Sequence, residues 1–260
     1  MVNGTKRGPK QLGEIILDTA NVNGISTEFL EKSIQRLINI LGTPSATYKD
    51  RIFRMLVKEK KIALEIYNAI NDTHYDNPED VIITTLENAV YLGMKNDVSF
   101  IIGSELVLFE QQSTNNPNMP LRNLFYVTCM LAALTMNTNI YGSKLIRIPE
   151  PKFIVFYNGL EELPEQFNMS LSDAYEKKSQ DISLELKVKV LNVNRGYNDS
   201  LMKKSPTLYQ YMMFVDTVRR FQKEYPFEQA MEQAGIPTAY FEVSTFEDYL
   251  AMLEVCTRVT

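Results

Sequence analysis

Apolar residues recur at helical spacing in several segments of the chain. Residues 26–41 form one such segment, and residues 48–71 form a second, in which lysines and acids separate the apolar positions. A third helix, almost wholly apolar and predicted to be buried, is expected to start near Pro120. One or two closing helices are predicted towards the C-terminal end, divided at Pro226.

Strand patterns lie between these helical segments. The run VIITTLENAVYLGM (81–94) is rich in β-branched residues, and KFIVFYNG (152–159) is a continuous apolar run that ends at an Asn-Gly pair. LELKVKVLNVN (184–194) alternates apolar and polar residues, as a strand with one face in water does. The order of these patterns predicts an α/β fold, with helices covering a sheet.

The stretch KNDVSFIIGSELVLFEQQST (95–114) predicts a β-hairpin that turns at the Gly-Ser pair 103–104. Glycine at the first central position of a two-residue turn favours type II′. The resulting register places Asp97 opposite Glu110 and Lys95 opposite Gln112. Because strand side chains alternate between faces, all four are predicted to lie at one end of the same face.

Two carboxylates opposite each other in a sheet repel and destabilise it, so something is expected to compensate. A divalent cation is one candidate, since Mg²⁺ prefers oxygen ligands and typically takes one or two carboxylates from a protein. The alternative is a solvated face on which Lys95 and Gln112 screen the acids. Spacing alone leaves both interpretations open.

The bulk composition limits the choice of function. The 260 residues carry a net charge of -5, so DNA binding would need a local basic patch rather than a general attraction for phosphate. The two cysteines are far apart and predict neither a disulfide framework nor a zinc site. The N-terminal residues lack the apolar core of a signal peptide, and no run is long enough to cross a bilayer, which predicts a cytoplasmic protein without a membrane partner.

Three segments carry a resemblance to a known family: TLENAVYLGMKNDVSFIIGSELVLFEQQSTNNPNMPLRNLFY (85–126), YGSKLIRIPEPKFIVFYNG (141–159) and LELKVKVLNVNRGYN (184–198). The chain resembles the bacterial recombination-promoting nuclease (Rpn) and putative transposase family, within the PD-(D/E)XK nuclease superfamily. The resemblance implies a DNA endonuclease that uses Mg²⁺ or Mn²⁺, with a mixed sheet flanked by helices. It covers roughly residues 48–234. This predicts an N-terminal helical extension (1–43), a nuclease-like domain (44–234) and a divergent C-terminal tail (235–260).

The resemblance also assigns roles to the hairpin residues. Asp97 would be the first acid of the superfamily motif, and residues 110–112 would be its (D/E)-x-K element. Gln111 would then offer a main-chain carbonyl to the metal. Asp50 or Glu87 would supply an additional acid.

Gln112 departs from the motif, because the superfamily has a lysine at this position. Glutamine can orient a water molecule but carries no positive charge to stabilise a developing anion. Two explanations stay open. Lys95 takes over the role from the neighbouring strand, or the metal alone activates the water.

Four cations flank the predicted site in sequence and are candidates for contacts with DNA phosphates: Arg122, Lys144, Arg147 and Lys152. Equally, they could only keep the surface soluble. A catalytically inactive nuclease-fold protein from a mobile element, acting in DNA binding or protein interaction, is the competing function. A third hypothesis is an oligomerising helical protein whose hairpin acids scatter over both faces; a homo-oligomer is left open.

Overall fold

The computed structural model describes residues 44–84, 97–226 and 229–230 of the chain. Its helices and strands follow one another in this order: α1 Pro44–Lys58, α2 Lys60–Asn71, β1 Ile82–Ile83, β2 Val98–Ile102, β3 Glu105–Gln112, α3 Met119–Thr135, β4 Glu150–Tyr157, β5 Gln166–Ser170, β6 Lys187–Asn192, α4 Asp199–Lys204 and α5 Pro206–Phe221. Short 3₁₀ turns occupy Pro78–Asp80 and Leu171–Ala174.

The strands form one mixed sheet of six strands in the order β1-β2-β3-β4-β6-β5. The central strands β3, β4 and β6 run parallel, whereas β1, β2 and β5 pair antiparallel with their neighbours. Parallel strands end at the same edge of a sheet, so the chain leaves β3, β4 and β6 along one common edge. The α/β class and the mixed sheet with flanking helices are as the sequence predicts.

The β2–β3 hairpin confirms the predicted register. Ile102 pairs with Glu105, and the ladder continues to Val98 opposite Phe109. Gly103 has a φ of 56°, whereas the φ of Ser104 is not positive. A positive φ at only the first central residue is the type II′ pattern.

Helices cover both faces of the sheet. On one face, Leu106 and Leu108 of β3 pack with Tyr126 and Met130 of α3. On the other face, the ring of Phe156 lies 5.1 Å from that of Phe53 in α1, and the ring of Phe100 lies 6.3 Å from that of Tyr67 in α2. Tyr211 of α5 packs against Phe53. Residues 106, 108 and 110 of β3 therefore face α3, and residues 107, 109 and 111 face the other helices.

The single helix predicted over residues 48–71 is wrong in two respects. The helix starts earlier, with Pro44 in its first turn, and it is interrupted at Glu59, whose ψ of 118° is extended. The charged run 58–61 puts lysines at the positions where the buried face of α1 would continue. Starting a new helix at Lys60 lets α2 bury its own face through Ile62, Ile66 and Tyr67.

Two other predictions need correction. The sequence did not predict β5, which pairs antiparallel with the outer edge of β6. Helix α3 lies where it was predicted but is buried on one face only, since Leu121, Phe125 and Leu134 are exposed. The sheet covers only that half of the helix.

Some predictions fall on residues that the structure does not describe. They include the helix at 26–41, most of the β-branched run before β2, and the tail at 235–260. In the described part of the chain, no helix is both long and apolar enough to cross a membrane.

Candidate functional site

Asp97 and Glu110 are brought together by the hairpin. Asp97 directly precedes β2, and its backbone N–H donates a hydrogen bond to Glu110 Oε1 at 3.2 Å. Continuing the ladder by one residue from the pair Val98 and Phe109 places the two acids opposite each other on the α3 side of the sheet. The expectation that they are cross-strand neighbours is confirmed, and the acids do not scatter over both faces.

The main chain fixes the orientation of Asp97. Its Oδ2 atom accepts a hydrogen bond of 2.7 Å from the backbone N–H of Gln111. Each acid thus bonds to the backbone of the opposite strand, Asp97 at residue 111 and Glu110 at residue 97. This reciprocal bonding holds both carboxylates at the start of β2 and the end of β3.

We call Asp97 and Glu110 the acid pair. Burial has the largest effect on the pKa of each of the two carboxyl groups. The side chain of Glu110 is 2% exposed and that of Asp97 15%. Desolvation raises the pKa of both groups, and the charge of Asp97 raises the pKa of Glu110 further. The pair therefore resists carrying two negative charges unless a positive charge joins it.

Two arginines approach the acid pair from opposite faces of the sheet. Arg54 of α1 places Nε 3.8 Å from Asp97 Oδ1, and Arg122 of α3 places Nη2 3.6 Å from Glu110 Oε2. Arg122 also donates to the hydroxyl of Tyr126 at 3.1 Å, which keeps its guanidinium beside Glu110. Each carboxylate has one guanidinium close to it.

Of the two additional acids suggested by the family resemblance, Asp50 lies within electrostatic reach. Its charge contributes to raising the pKa of Asp97, and its own pKa is raised chiefly by burial. Glu87 lies outside the described residues. Within the described residues, Asp50 does not complete a group of three or more His, Cys, Asp or Glu side chains able to hold a metal. The acid pair by itself still matches the one or two carboxylates that Mg²⁺ commonly takes.

Gln111 points its side chain away from the acid pair and into the helices on the other face. Its Nε2 donates to Asn158 Oδ1 at 2.7 Å, and Asn158 Nδ2 in turn donates to the hydroxyl of Tyr211 at 2.7 Å. The other amide atom, Oε1, is buried without a hydrogen-bond partner in the described part of the chain. Gln111 therefore contacts Asp97 through its backbone and not through its side chain. The resemblance likewise implies a main-chain role for this residue.

Gln112 is the last residue of β3 and is half-buried. Its backbone oxygen accepts a hydrogen bond from the N–H of Asn158, which ties the ends of β3 and β4 together. Strand alternation puts its side chain on the same face as Glu110. Lys95, predicted to lie opposite Gln112, is outside the described residues.

The remaining predicted phosphate contacts lie in different places. Lys144 and Arg147 are exposed in the connection between α3 and β4. Lys152 lies on β4, where it contacts Glu150 at 2.6 Å and Glu105 at 3.7 Å. Glu105 starts β3, about 17 Å along the strand from the acid pair at roughly 3.3 Å per residue. The structure brings Arg122 to the acid pair and does not bring Lys152 there.

Sequence reasoning missed Arg54 and Asn158. Arg54 follows Asp50 by four residues, so the two share one face of a helix, and that spacing was the available signal. Asn158 was interpreted only as part of an Asn-Gly strand end. Its hydrogen bonds to β3 depend on the parallel pairing of β3 with β4, which the local sequence does not reveal.

Comparisons with protein-family models, with curated proteins and with solved structures give no match to this chain.

Proposed function

We propose that the protein is a metal-dependent DNA endonuclease with a PD-(D/E)XK-like fold, related to the recombination-promoting nucleases and putative transposases. The observation that carries the proposal is the acid pair, two largely buried carboxylates that face each other across adjacent strands, each accepting a hydrogen bond from a backbone N–H of the opposite strand. Burying such a pair is costly without a cation. The mixed sheet with helices on both faces is compatible with the proposed fold.

In this proposal Asp97 and Glu110 would hold Mg²⁺ or Mn²⁺, and the carbonyl of Gln111 would add a main-chain ligand. A cation bound there would lower the pKa of a water molecule and stabilise charge on the phosphate. The oxygen of water forms a bond to phosphorus, and the bond from phosphorus to the 3′ oxygen breaks. The leaving 3′ oxygen takes up a proton, so the products are a 3′-hydroxyl and a 5′-phosphate.

Plasmid cleavage tests the proposal. Purified protein is incubated with supercoiled plasmid in Mg²⁺ and, in parallel, in EDTA. We expect nicking only with Mg²⁺, and at least a hundredfold slower nicking by Asp97→Asn and by Glu110→Gln. Glu105→Gln is the matched control, because it removes the same charge from the other end of β3. Nicking by both acid-pair variants at the wild-type rate would reject the assignment.

The second candidate is a nuclease-fold protein that binds DNA or another macromolecule without cleaving it. Two observations favour it. Gln112 stands where the superfamily has lysine, and each acid already has a guanidinium within 4 Å that offsets part of its charge. Under this hypothesis the wild-type protein binds DNA and leaves the plasmid intact in Mg²⁺ and in Mn²⁺.

A further inference from the structure

Arg54 and Arg122 differ from the acid pair in their access to solvent. About a third of each arginine side chain is exposed, 36% for Arg54 and 34% for Arg122, whereas the carboxylates lie deeper. A phosphate arriving from solvent would therefore meet the guanidinium groups first. Guanidinium is well suited to this contact, because its planar fork matches two phosphate oxygens.

The contacts between these arginines and the acids are loose. The nitrogen-to-oxygen distances of 3.8 Å and 3.6 Å exceed the 2.7 to 2.9 Å that is typical of strong charge-assisted hydrogen bonds. Arg54 keeps a second contact at 3.4 Å with the backbone oxygen of Asp50, and Arg122 keeps one with Tyr126. Both guanidinium groups would thus stay at the site if the carboxylates bound another cation.

The charges of the four groups balance. At a pH where both carboxyl groups are ionised, two carboxylates and two guanidinium groups sum to zero, so the arginines then offset the acid pair when no metal is bound. A divalent cation on the carboxylates would raise the sum to two positive charges and leave both arginines without their anionic partners. A phosphodiester carries one negative charge and gains more as it is cleaved.

We propose that Arg54 and Arg122 are exchangeable counter-ions, paired with the acid pair in the metal-free protein and with a DNA phosphate once a divalent cation has displaced them. This inference rests on the proposed endonuclease function. Under this exchange, metal binding strengthens DNA binding and DNA binding strengthens metal binding. The cation takes the carboxylates away from the arginines, and the phosphate takes the arginines away from the carboxylates. Arg54 becomes a phosphate-binding residue that sequence reasoning did not identify.

The test separates this exchange from simple attraction between metal and phosphate, because it is done in EDTA. Binding of a fluorescein-labelled DNA duplex is measured by anisotropy, at a pH high enough to ionise both acids of the wild-type protein, for wild-type protein and for the double variant Asp97→Asn with Glu110→Gln. The variant retains amide oxygens as hydrogen-bond acceptors but releases both arginines. We expect it to bind at least tenfold more tightly than wild type. Glu105→Gln, which removes one negative charge away from the site, should gain no more than about twofold.

Adding Arg54→Ala to the double variant should cancel most of the gain, and Arg54→Lys should retain part of it. Urea unfolding of each protein verifies that it is folded. A double variant that binds no more tightly than Glu105→Gln, or a gain that survives Arg54→Ala in full, would overturn the exchange. Plasmid nicking distinguishes the two proposals. Nicking in Mg²⁺ without the gain rejects only the exchange, and the gain without nicking rejects only the nuclease.

Discussion

The carboxyl group of Glu110 shows how one residue can tie stability to function. It is buried beside a second acid, and both causes raise its pKa, burial first and the charge of Asp97 next. The folded metal-free protein therefore keeps this proton to a higher pH than the unfolded chain, where a glutamate has a pKa of about 4.3. A cation would reverse the preference, because it stabilises the ionised form. The residue favours folding without metal only while it is protonated.

The first prediction concerns this proton. A raised pKa contributes stability that is fully present below the unfolded-state value and is lost as pH rises through the folded-state value. In EDTA, wild-type protein should therefore lose stability relative to Glu110→Gln as pH rises from about 4 to neutrality. Between about pH 4 and neutrality the stability of the variant relative to wild type should rise by roughly 1 to 3 kcal/mol, since one unit of pKa shift corresponds to about 1.4 kcal/mol. Urea unfolding at a series of pH values measures the difference.

Glu105→Gln is again the control, since Glu105 lies on the same strand but about 17 Å from Glu110 at roughly 3.3 Å per residue. Its stability difference from wild type should not follow the pH course of Glu110→Gln. If the difference in stability between Glu110→Gln and wild type stayed constant over the whole pH range, Glu110 would have to be ionised in the metal-free protein. The charge would then be fully offset by Arg122.

Local sequence was sufficient to predict the acid pair but not its surroundings. Asp97 and Glu110 are linked by one tight turn, and a turn of known length fixes every cross-strand partner. Arg54 reaches Asp97 only because α1 packs on the sheet, and that packing involves contacts between residues far apart in the chain, such as Phe53 with Phe156. Periodicity indicates which face of a helix is buried. It does not indicate where on the sheet that face lies.

Among the elements, the β2–β3 hairpin is the one on which the site depends. The two strands carry one acid each, and the turn between them sets the register. Gly103 adopts a φ of 56°, a left-handed conformation in which a residue with a Cβ is strained. A Cβ built there would meet the Tyr75 hydroxyl at 3.5 Å, an ordinary contact, so the cost of a substitution is conformational rather than steric.

The second prediction follows from that conformation. Gly103→Ala should destabilise the protein by about 1 kcal/mol, the typical cost of placing an L-residue in the left-handed region. Gly103→Asn should cost less, because asparagine tolerates that region. Ser104→Ala, at the next position of the turn, is the control and should change little. Equal losses for alanine and asparagine in urea unfolding would contradict a conformational origin.

Other elements could not be predicted as securely. The break between α1 and α2 at Glu59 falls within a charged run that also fits the polar side of one long helix, so periodicity alone did not locate it. Strand β5, QFNMS, does alternate polar and apolar residues, but its two apolar positions, Phe167 and Met169, are too few to stand out in a polar stretch, and it pairs with the free edge of β6. Both features depend on tertiary contacts that the local sequence does not reveal.

At the scale of the whole molecule, the site lies where an α/β sheet commonly places one. The parallel strands β3 and β4 deliver Glu110 and Asn158 to the same edge, at their carboxyl ends. Asp97 reaches this edge from the opposite direction, because β2 is antiparallel and begins there. Mixed strand directions thus bring the end of one strand and the start of another to a single point. The choice of edge follows from topology, which sequence patterns define only in part.

The last prediction concerns how an acidic chain would bind DNA. With a net charge of -5, binding must depend on a few local cations, and each phosphate contact should contribute about 0.9 to the slope of log affinity against log salt concentration. Lys144 and Arg147 are exposed and have no carboxylate partner among the described residues, whereas Lys152 is paired with Glu150 and Glu105. Replacing Lys144 and Arg147 together by alanine should therefore lower the slope by up to about 1.8. Lys152→Ala should leave it unchanged, because that ammonium group is already neutralised at the other end of β3.

Anisotropy titrations of one duplex at several salt concentrations give the slopes. A larger change for Lys152→Ala than for the double variant would place the path of the phosphates along the Glu105 end of the sheet.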